Sequence, residues 1–235
     1  HPNTAKVAGQ MVAEFHRALS DLDHEFMAPM RDVHNTPQRM ADLQRALQNS
    51  SGHPFETEAL ELGEKIVSLW DKWDGSLDLK KRICHGDLKI SNLRFSTDES
   101  KGICLLDLDT IGPQTLAAEM GDAWRSWCNP FREDQPEKAE FNMDIFEASA
   151  QSYLKYAPPM SKAEKESLVS GIIRICLELS ARFCADVIEN SYFKEDRERF
   201  PKPGQHNLLK AESQLKLAQS VLNKRHLAER IIRTN

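Results

Sequence analysis

The stretch His85-Gly86-Asp87-Leu88-Lys89-Ile90-Ser91-Asn92 decides how this chain is read, because it sets short polar side chains at fixed offsets where the hydrophobic period changes. Before it the apolar residues recur at helical spacing; after it come two short strand-like runs. These are Leu93-Arg94-Phe95 and Ile103-Cys104-Leu105-Leu106, joined by a polar turn from Asp98 to Gly102. The second run is predicted to be a buried strand, and it leads into Asp107-Leu108-Asp109. A carboxylate that follows an apolar strand is exposed to a cleft while its backbone stays anchored, which suits a hard oxygen ligand for Mg2+. The offset of five from Asp87 to Asn92 lets one loop aim both side chains at the same bound group. A rigid body that fixes the geometry of such a loop is a common way to present a site.

Outside this hairpin the chain reads as helical. Val7, Met11, Phe15 and Leu19 recur every fourth position and predict an amphipathic helix ending near Asp21. A second helix is predicted from Thr36-Pro37, with Met40, Leu43 and Leu47 on its inner face. Asn49-Ser50-Ser51-Gly52-His53-Pro54 then breaks the chain, and Leu62, Ile66, Leu69 and Trp73 make a third. Lys81 to Cys84 leads into the loop, and the hairpin after it is the only sheet expected. Helices resume over roughly 116–127, 138–156, 162–189 and 206–231, the third of these headed by the capping box Ser161-Lys162-Ala163-Glu164. The predicted fold class is mainly α with a small β-hairpin.

With 31 Lys and Arg against 36 Asp and Glu, the net charge of -5 supplies no basic field to hold a nucleic-acid backbone. Apolar stretches such as Ile172-Ile173 and Ile175-Cys176-Leu177 are interrupted by Arg174 and fall short of a membrane span. No nucleic-acid or membrane partner is expected, and no sign of an oligomeric state is visible. Five cysteines, Cys84, Cys104, Cys128, Cys176 and Cys184, without C-x-x-C spacing point to a reducing cytoplasm. Adjacent Cys84 and His85 point opposite ways in an extended segment, so Cys84 is read as a packed thiol rather than a zinc ligand.

The segment from His85 to Asn92 resembles the protein-kinase catalytic loop, H-R-D-L-x-x-x-N, with Gly86 in place of Arg. With that Gly and with Leu105-Leu106-Asp107 downstream, the chain is similar to the aminoglycoside phosphotransferase and choline kinase superfamily. Leu106-Asp107-Leu108-Asp109-Thr110, Gly121-Asp122-Ala123-Trp124-Arg125 and Asn207-Leu208-Leu209-Lys210-Ala211 resemble its N-acetylhexosamine 1-kinase branch. The likeness runs over nearly the whole chain, specific at the two catalytic elements and looser elsewhere. It implies that residues 1–235 form the helical C-terminal lobe of a protein-kinase-like fold, with the N-terminal β lobe and its Gly loop absent from this chain. It implies ATP and Mg2+ as cofactors and transfer of the γ-phosphoryl group to a hydroxyl of a small-molecule substrate. Asp87 would accept or orient the hydroxyl proton, and Asn92 and Asp107 would hold Mg2+ on the nucleotide. Lys89 would offset charge on the transferring group. His85 would brace the loop, and Asp122 would fix the loop through its backbone.

Other readings stay open at several positions. Asp87 and Asn92 also suit turns and caps. Lys89 is a phosphate contact or a solvated charge, and Asp109 a second metal contact or a turn residue. Trp124, Trp127 and Phe131 line a pocket or pack the core, and their helical spacing favours the core. Asp122, Trp124 and Arg125 are the candidate substrate residues, since a sugar or amino sugar wants a few polar groups and an aromatic surface. The run Glu133-Asp134, Glu137 and Glu140 is mixed with Arg132 and Lys138 and reads as a solvated face rather than an acidic pocket for a cationic substrate. The alternative functions are an aminoglycoside- or choline-type kinase and a catalytically silent, kinase-derived binding module.

Overall fold

A computed structural model describes residues 1–27 and 34–235. Over them run the helices α1 (Pro2–Ala18), α2 (Thr36–Gln48), α3 (Glu56–Trp70), α4 (Leu116–Trp127), α5 (Met143–Tyr156), α6 (Lys162–Glu189) and α7 (Gln205–Thr234). The strands are β1 (Lys81–Cys84), β2 (Leu93–Phe95), β3 (Gly102–Leu105) and β4 (Gly112–Thr115). The fold is mainly α, as predicted. Among the described residues no helix is long and apolar enough to cross a membrane, and all five cysteines are free.

The spine is α6, against which α2, α3, α4 and α7 pack. A helix covered on all sides buries residues all round, which is why α6 lacks a single apolar stripe. Its start is set by the expected capping box: Ser161 Oγ accepts from the Glu164 N–H at 3.2 Å, and Glu164 Oε2 accepts from the Ser161 N–H at 2.8 Å. Arg82 of β1 adds a fork onto the same Glu164, at 2.7 and 3.1 Å, and so ties the strand before the loop to the spine. The crossing of α4 over α6 depends on small residues. A Cβ on Gly171 would lie 2.0 Å from the Ala117 carbonyl oxygen, and one on Gly121 would lie 2.6 Å from that of Gly171.

The α1 seam differs from the hydrophobic pattern. Ala5, Ala8, Gly9, Val12, Ala13 and His16 are buried, while Val7, Met11, Phe15 and Leu19 are only half buried beside them. α1 passes α5 so closely that a Cβ on Gly9 would lie 2.2 Å from Ser149 O, and helices at that separation meet through small side chains that a hydropathy pattern underweights. α5 also starts later than predicted, at Met143, where Asn142 Oδ1 accepts from the Ile145 N–H at 3.0 Å and caps it.

Two antiparallel ladders stand where one hairpin was expected. β2 pairs with β3 as predicted, and β1 pairs with β4, with Lys81 opposite Thr115 and Cys84 opposite Gly112. Gly112-Pro113-Gln114-Thr115 carries no strand signal because Gly and Pro are depleted from strands; the ladder exists because β1 arrives beside it. The predicted burial of β3 is also corrected, since Ile103 is 62% exposed and Cys104 is exposed. α1 touches this two-stranded ribbon at Gly102, through Met11, and leaves those side chains outside.

Candidate active site

The two ladders hold the loop at both ends: β1 runs into His85, Asn92 leads into β2, β3 delivers Asp107, and β4 returns to pair with β1. Gly86 turns the chain with φ of 87°, a left-handed conformation that favours glycine, and a Cβ there would lie 2.7 Å from Thr110 O. Thr110 is this close because its hydroxyl donates to His85 O at 2.7 Å. That crowding is the physical reason for Gly where protein kinases carry Arg.

One carboxylate holds the first two loop amides. The His85 N–H donates to Glu119 Oε1 at 2.8 Å and the Gly86 N–H to Oε2 at 2.9 Å. Glu119 is 1% exposed and is backed by His16 Nε2 at 3.0 Å, whose Nδ1 meets the Tyr153 hydroxyl at 2.9 Å. Burial opposes the charge on Glu119, but His16 and the two N–H donors outweigh it and hold the carboxyl below its ordinary value. The loop-fixing role expected of Asp122 is thus filled by Glu119, about one turn earlier on α4. Farther along the helix, Trp127 Nε1 donates to Leu88 O at 2.7 Å and Ser126 Oγ accepts from the Ile90 N–H at 3.2 Å. Cys84 lies within 4.8 Å of His16 and Glu119 by their ligand-type atoms. His16 and Glu119 are bonded to each other, the Cys84 thiol is directed to Gln114 O at 3.6 Å, and burial pushes that thiol well above its ordinary value, so the three are packed core.

His85 is the strut between the loop and the segment that carries Asp107. The Asp87 N–H donates to His85 Nδ1 at 3.3 Å, which places the ring proton on Nε2, and Nε2 donates to Leu106 O at 2.9 Å. Lys89 Nζ donates to Asp87 Oδ2 at 2.5 Å, and Asn92 Nδ2 donates to the same oxygen at 3.0 Å and to Asp87 O at 2.8 Å. Lys89 Nζ is also 4.0 Å from Asp107 Oδ2. Burial would lower Lys89, but the Asp87 carboxylate outweighs it and holds the ammonium above its ordinary value. Asp107 takes φ of 66°, which Asp tolerates better than most residues, and its side chain is 52% exposed. Asp109 is exposed in the 3-10 turn Leu108–Thr110 that follows. Asn92 Oδ1, Asp107 and Asp109 supply only hard oxygen donors, the kind of set that suits Mg2+.

The candidate substrate residues divide. Trp124 is fully buried and packs edge-on against Phe146 at 5.1 Å and Tyr153 at 6.0 Å, so it faces the core and lines no pocket. Arg125 donates from Nε and Nη2 to Asp122 Oδ1, at 3.2 and 2.8 Å, and from Nη1 to Glu133 at 2.7 Å. Burial opposes ionisation of Asp122, and Arg125, with His34 and Lys89 behind it, outweighs that and keeps the carboxyl below its ordinary value. The acidic run is not a solvated face throughout: Asp134 is buried and accepts from Arg132 at 3.1 Å and Arg199 at 2.8 Å. Burial again works against the charge, and the two arginines bring that carboxyl down to about 2. Sequence reasoning missed Glu119, Thr110 and the Trp127 ring nitrogen. A Glu on the apolar face of α4, between Leu116 and Ala123, was the one available signal.

Residues 1–158 match the APH family, the phosphotransferase enzyme family. Two solved structures share the fold. The microcompartment-associated aminopropanol kinase matches with a TM-score of 0.56 and 15% identity, over 95% of this chain and 63% of that one. The amicoumacin kinase hAmiN, in complex with AMP-PNP, Ca2+ and Ami, matches with a TM-score of 0.50 and 11% identity, over 91% of this chain and 59% of that one. This chain thus spans roughly three fifths of the length of either. At such identities the likeness is one of fold, whereas the family match takes in the whole of the loop, Asp107 and α4. With that match covering residues 1–158 of 235, the chain belongs to the APH phosphotransferase enzyme family.

Proposed function

We propose that this chain is the helical lobe of an ATP- and Mg2+-dependent phosphotransferase that moves the γ-phosphoryl group to a hydroxyl of a small polar molecule, a sugar or amino sugar. The convergence of Asp87, Lys89, Asn92 and Asp107 at one point carries this reading. Asp87 is the base that orients the acceptor hydroxyl and takes its proton as the new O–P bond forms and the bond to the ADP oxygen breaks. Lys89, shared between Asp87 and Asp107, offsets charge on the transferring group. Asn92, Asp107 and Asp109 would hold Mg2+, which when bound neutralises charge on the nucleotide phosphates. The amicoumacin kinase complex with AMP-PNP and Ca2+ supports a nucleotide and a divalent ion in a protein of this fold. The structural neighbours are named as an aminopropanol kinase and an amicoumacin kinase, in line with a small-molecule acceptor here.

The test is ADP release by the full-length protein with MgATP and a panel of hexoses, N-acetylhexosamines, kanamycin-like amines, choline and 1-amino-2-propanol. Magnesium-dependent turnover of a hexose or N-acetylhexosamine is expected. Turnover of amines or choline with no sugar used removes the sugar assignment, and no ADP release with any acceptor removes the phosphotransferase reading.

A further inference from the structure

A cleft at the start of α6 is built from residues that the proposed chemistry does not use. The end of α6 meets the start of α7, where a Cβ on Gly204 would lie 2.6 Å from Val187 O, so the two helices run antiparallel and the first turns of α6 lie beside the last turns of α7. Between them is a cavity of about 730 Å³, a size usual for small-molecule sites. Lys162, Lys165, Glu166 and Val169 line it from α6 at the spacing of one helix face. Arg225, Glu229, Ile232 and Arg233 line it in the same way from α7. Met160, half buried ahead of α6, adds to the wall.

Its frame is fixed from behind. Arg82 of β1 donates to Pro159 O at 2.8 Å and forks onto Glu164 at 2.7 and 3.1 Å, and so holds the residues just before Met160 and just before Lys165. The floor is apolar, with Val169 and Ile232 both buried. The rim is cationic in a chain whose net charge is -5: four basic side chains meet two carboxylates, and both carboxylates are engaged. Glu229 accepts from Arg225 Nε at 2.6 Å and from Arg233 Nη2 at 2.9 Å, and Glu166 lies 3.7 Å from Lys162. Such i, i+4 pairs are ordinary on exposed helices, but they leave donors over. Arg225 Nη1 is taken by Asp74 at 2.8 Å, while Arg225 Nη2, Arg233 Nη1 and the Lys165 ammonium have no partner among the described residues.

We propose that this cleft binds a small organic dianion, one acidic group held by Lys162 and Lys165 of α6 and the other by Arg225 and Arg233 of α7. The cations stand in two pairs, one on each helix, with the cavity between them. A molecule with one acidic group meets one pair and leaves the other unmet, whereas acids at both ends of a short skeleton meet both. Carboxylate and phosphate each suit the guanidinium fork and the lysine ammonium, so a dicarboxylate and a bisphosphate share the chemistry that this site recognises. The carbon skeleton lies against Met160 and the aliphatic stems of the lysines and arginines. This site is independent of the phosphotransferase reading.

The test is titration calorimetry on the full-length protein, without nucleotide and at low ionic strength, with glutarate and fructose 1,6-bisphosphate as dianions and butyrate and inorganic phosphate as their single-acid controls. At least one dianion is expected to bind at a single site, about tenfold or more tighter than its control, and the one that binds names the acidic group. Lys165→Ala and Arg233→Ala are each expected to weaken that binding about tenfold. Lys202→Ala, at an exposed lysine beside the opposite end of α7, is expected to leave it unchanged, and thermal melts establish that each variant is folded. No saturable heat from either dianion, a control that binds as tightly as its dianion, or unchanged binding in both Lys165→Ala and Arg233→Ala overturns the site. Equal weakening in Lys202→Ala overturns it too, since the attraction is then one of general charge. ADP release is measured separately, so either reading can fail while the other stands.

Discussion

Replacing Glu119 by Gln tests how the loop is held. Oε1 of Glu119 accepts from the His85 N–H at 2.8 Å and from His16 at 3.0 Å, and Oε2 accepts from the Gly86 N–H at 2.9 Å. Gln keeps an oxygen on one side only, so its amide N–H2 meets a donor on the other. One charge-assisted hydrogen bond is lost in a site closed to water and a donor is left unpaired, which together cost about 2–4 kcal/mol. In a chain of this length about 1 kcal/mol moves Tm by about 2–4 °C, so a fall of roughly 4–16 °C is expected. The pH dependence gives a second reading. Glu119 is held below its ordinary value of 4.5, so folding favours its charged form. Its contribution is complete above about pH 4.5 and is lost as pH falls through the lower folded value, because the native state must then take up the proton. The Tm gap between wild type and Glu119→Gln is therefore full at about pH 7 and narrows in acid. Scanning calorimetry of both proteins across that range measures it. A variant melting within about 2 °C of wild type at neutral pH, or a gap unchanged in acid, would refute the assignment of loop support to Glu119.

Asp87→Asn is expected to leave the melting curve in place and to lower turnover about a hundredfold or more, because a positioned base is lost; near-normal activity removes Asp87 from the mechanism. Asp107→Ala is expected to weaken MgATP binding more than Asn92→Ala, since a carboxylate adds charge to coordination, and equal small effects by titration calorimetry would show the metal misplaced. Gly171→Ala is expected to destabilise by about 1–3 kcal/mol or more, because its Cβ would lie 2.0 Å from the backbone oxygen of Ala117 and force α4 away from α6. An unshifted chemical-denaturation midpoint would contradict that close crossing.

The sequence by itself determined whatever depends on near neighbours. The capping box at Ser161 and Glu164 and the offset from Asp87 to Asn92 are properties of adjacent residues, found where the sequence places them. The helix start at Thr36-Pro37 is one residue off: Thr36, read as the cap, is the first helical residue, and Asn35 Oδ1 caps α2 by accepting from the Gln38 N–H at 3.2 Å. Even the Gly at position 86 has its meaning in the turn it makes, although only Thr110 across the fold explains why nothing larger fits. The tertiary structure decided whatever depends on which elements cross. Glu119 reaches an amide 34 residues earlier, and His34 reaches a carboxylate 144 residues later, so no periodicity within either helix announces the partner. The β1–β4 ladder is made from a Gly-Pro segment without strand propensity, because backbone hydrogen bonding needs only a neighbour at the right distance. The α1 seam runs through Ala and Gly instead of the more apolar stripe beside it, because the separation between two helices sets the size of the side chains that fit, and that separation is not written in either helix alone.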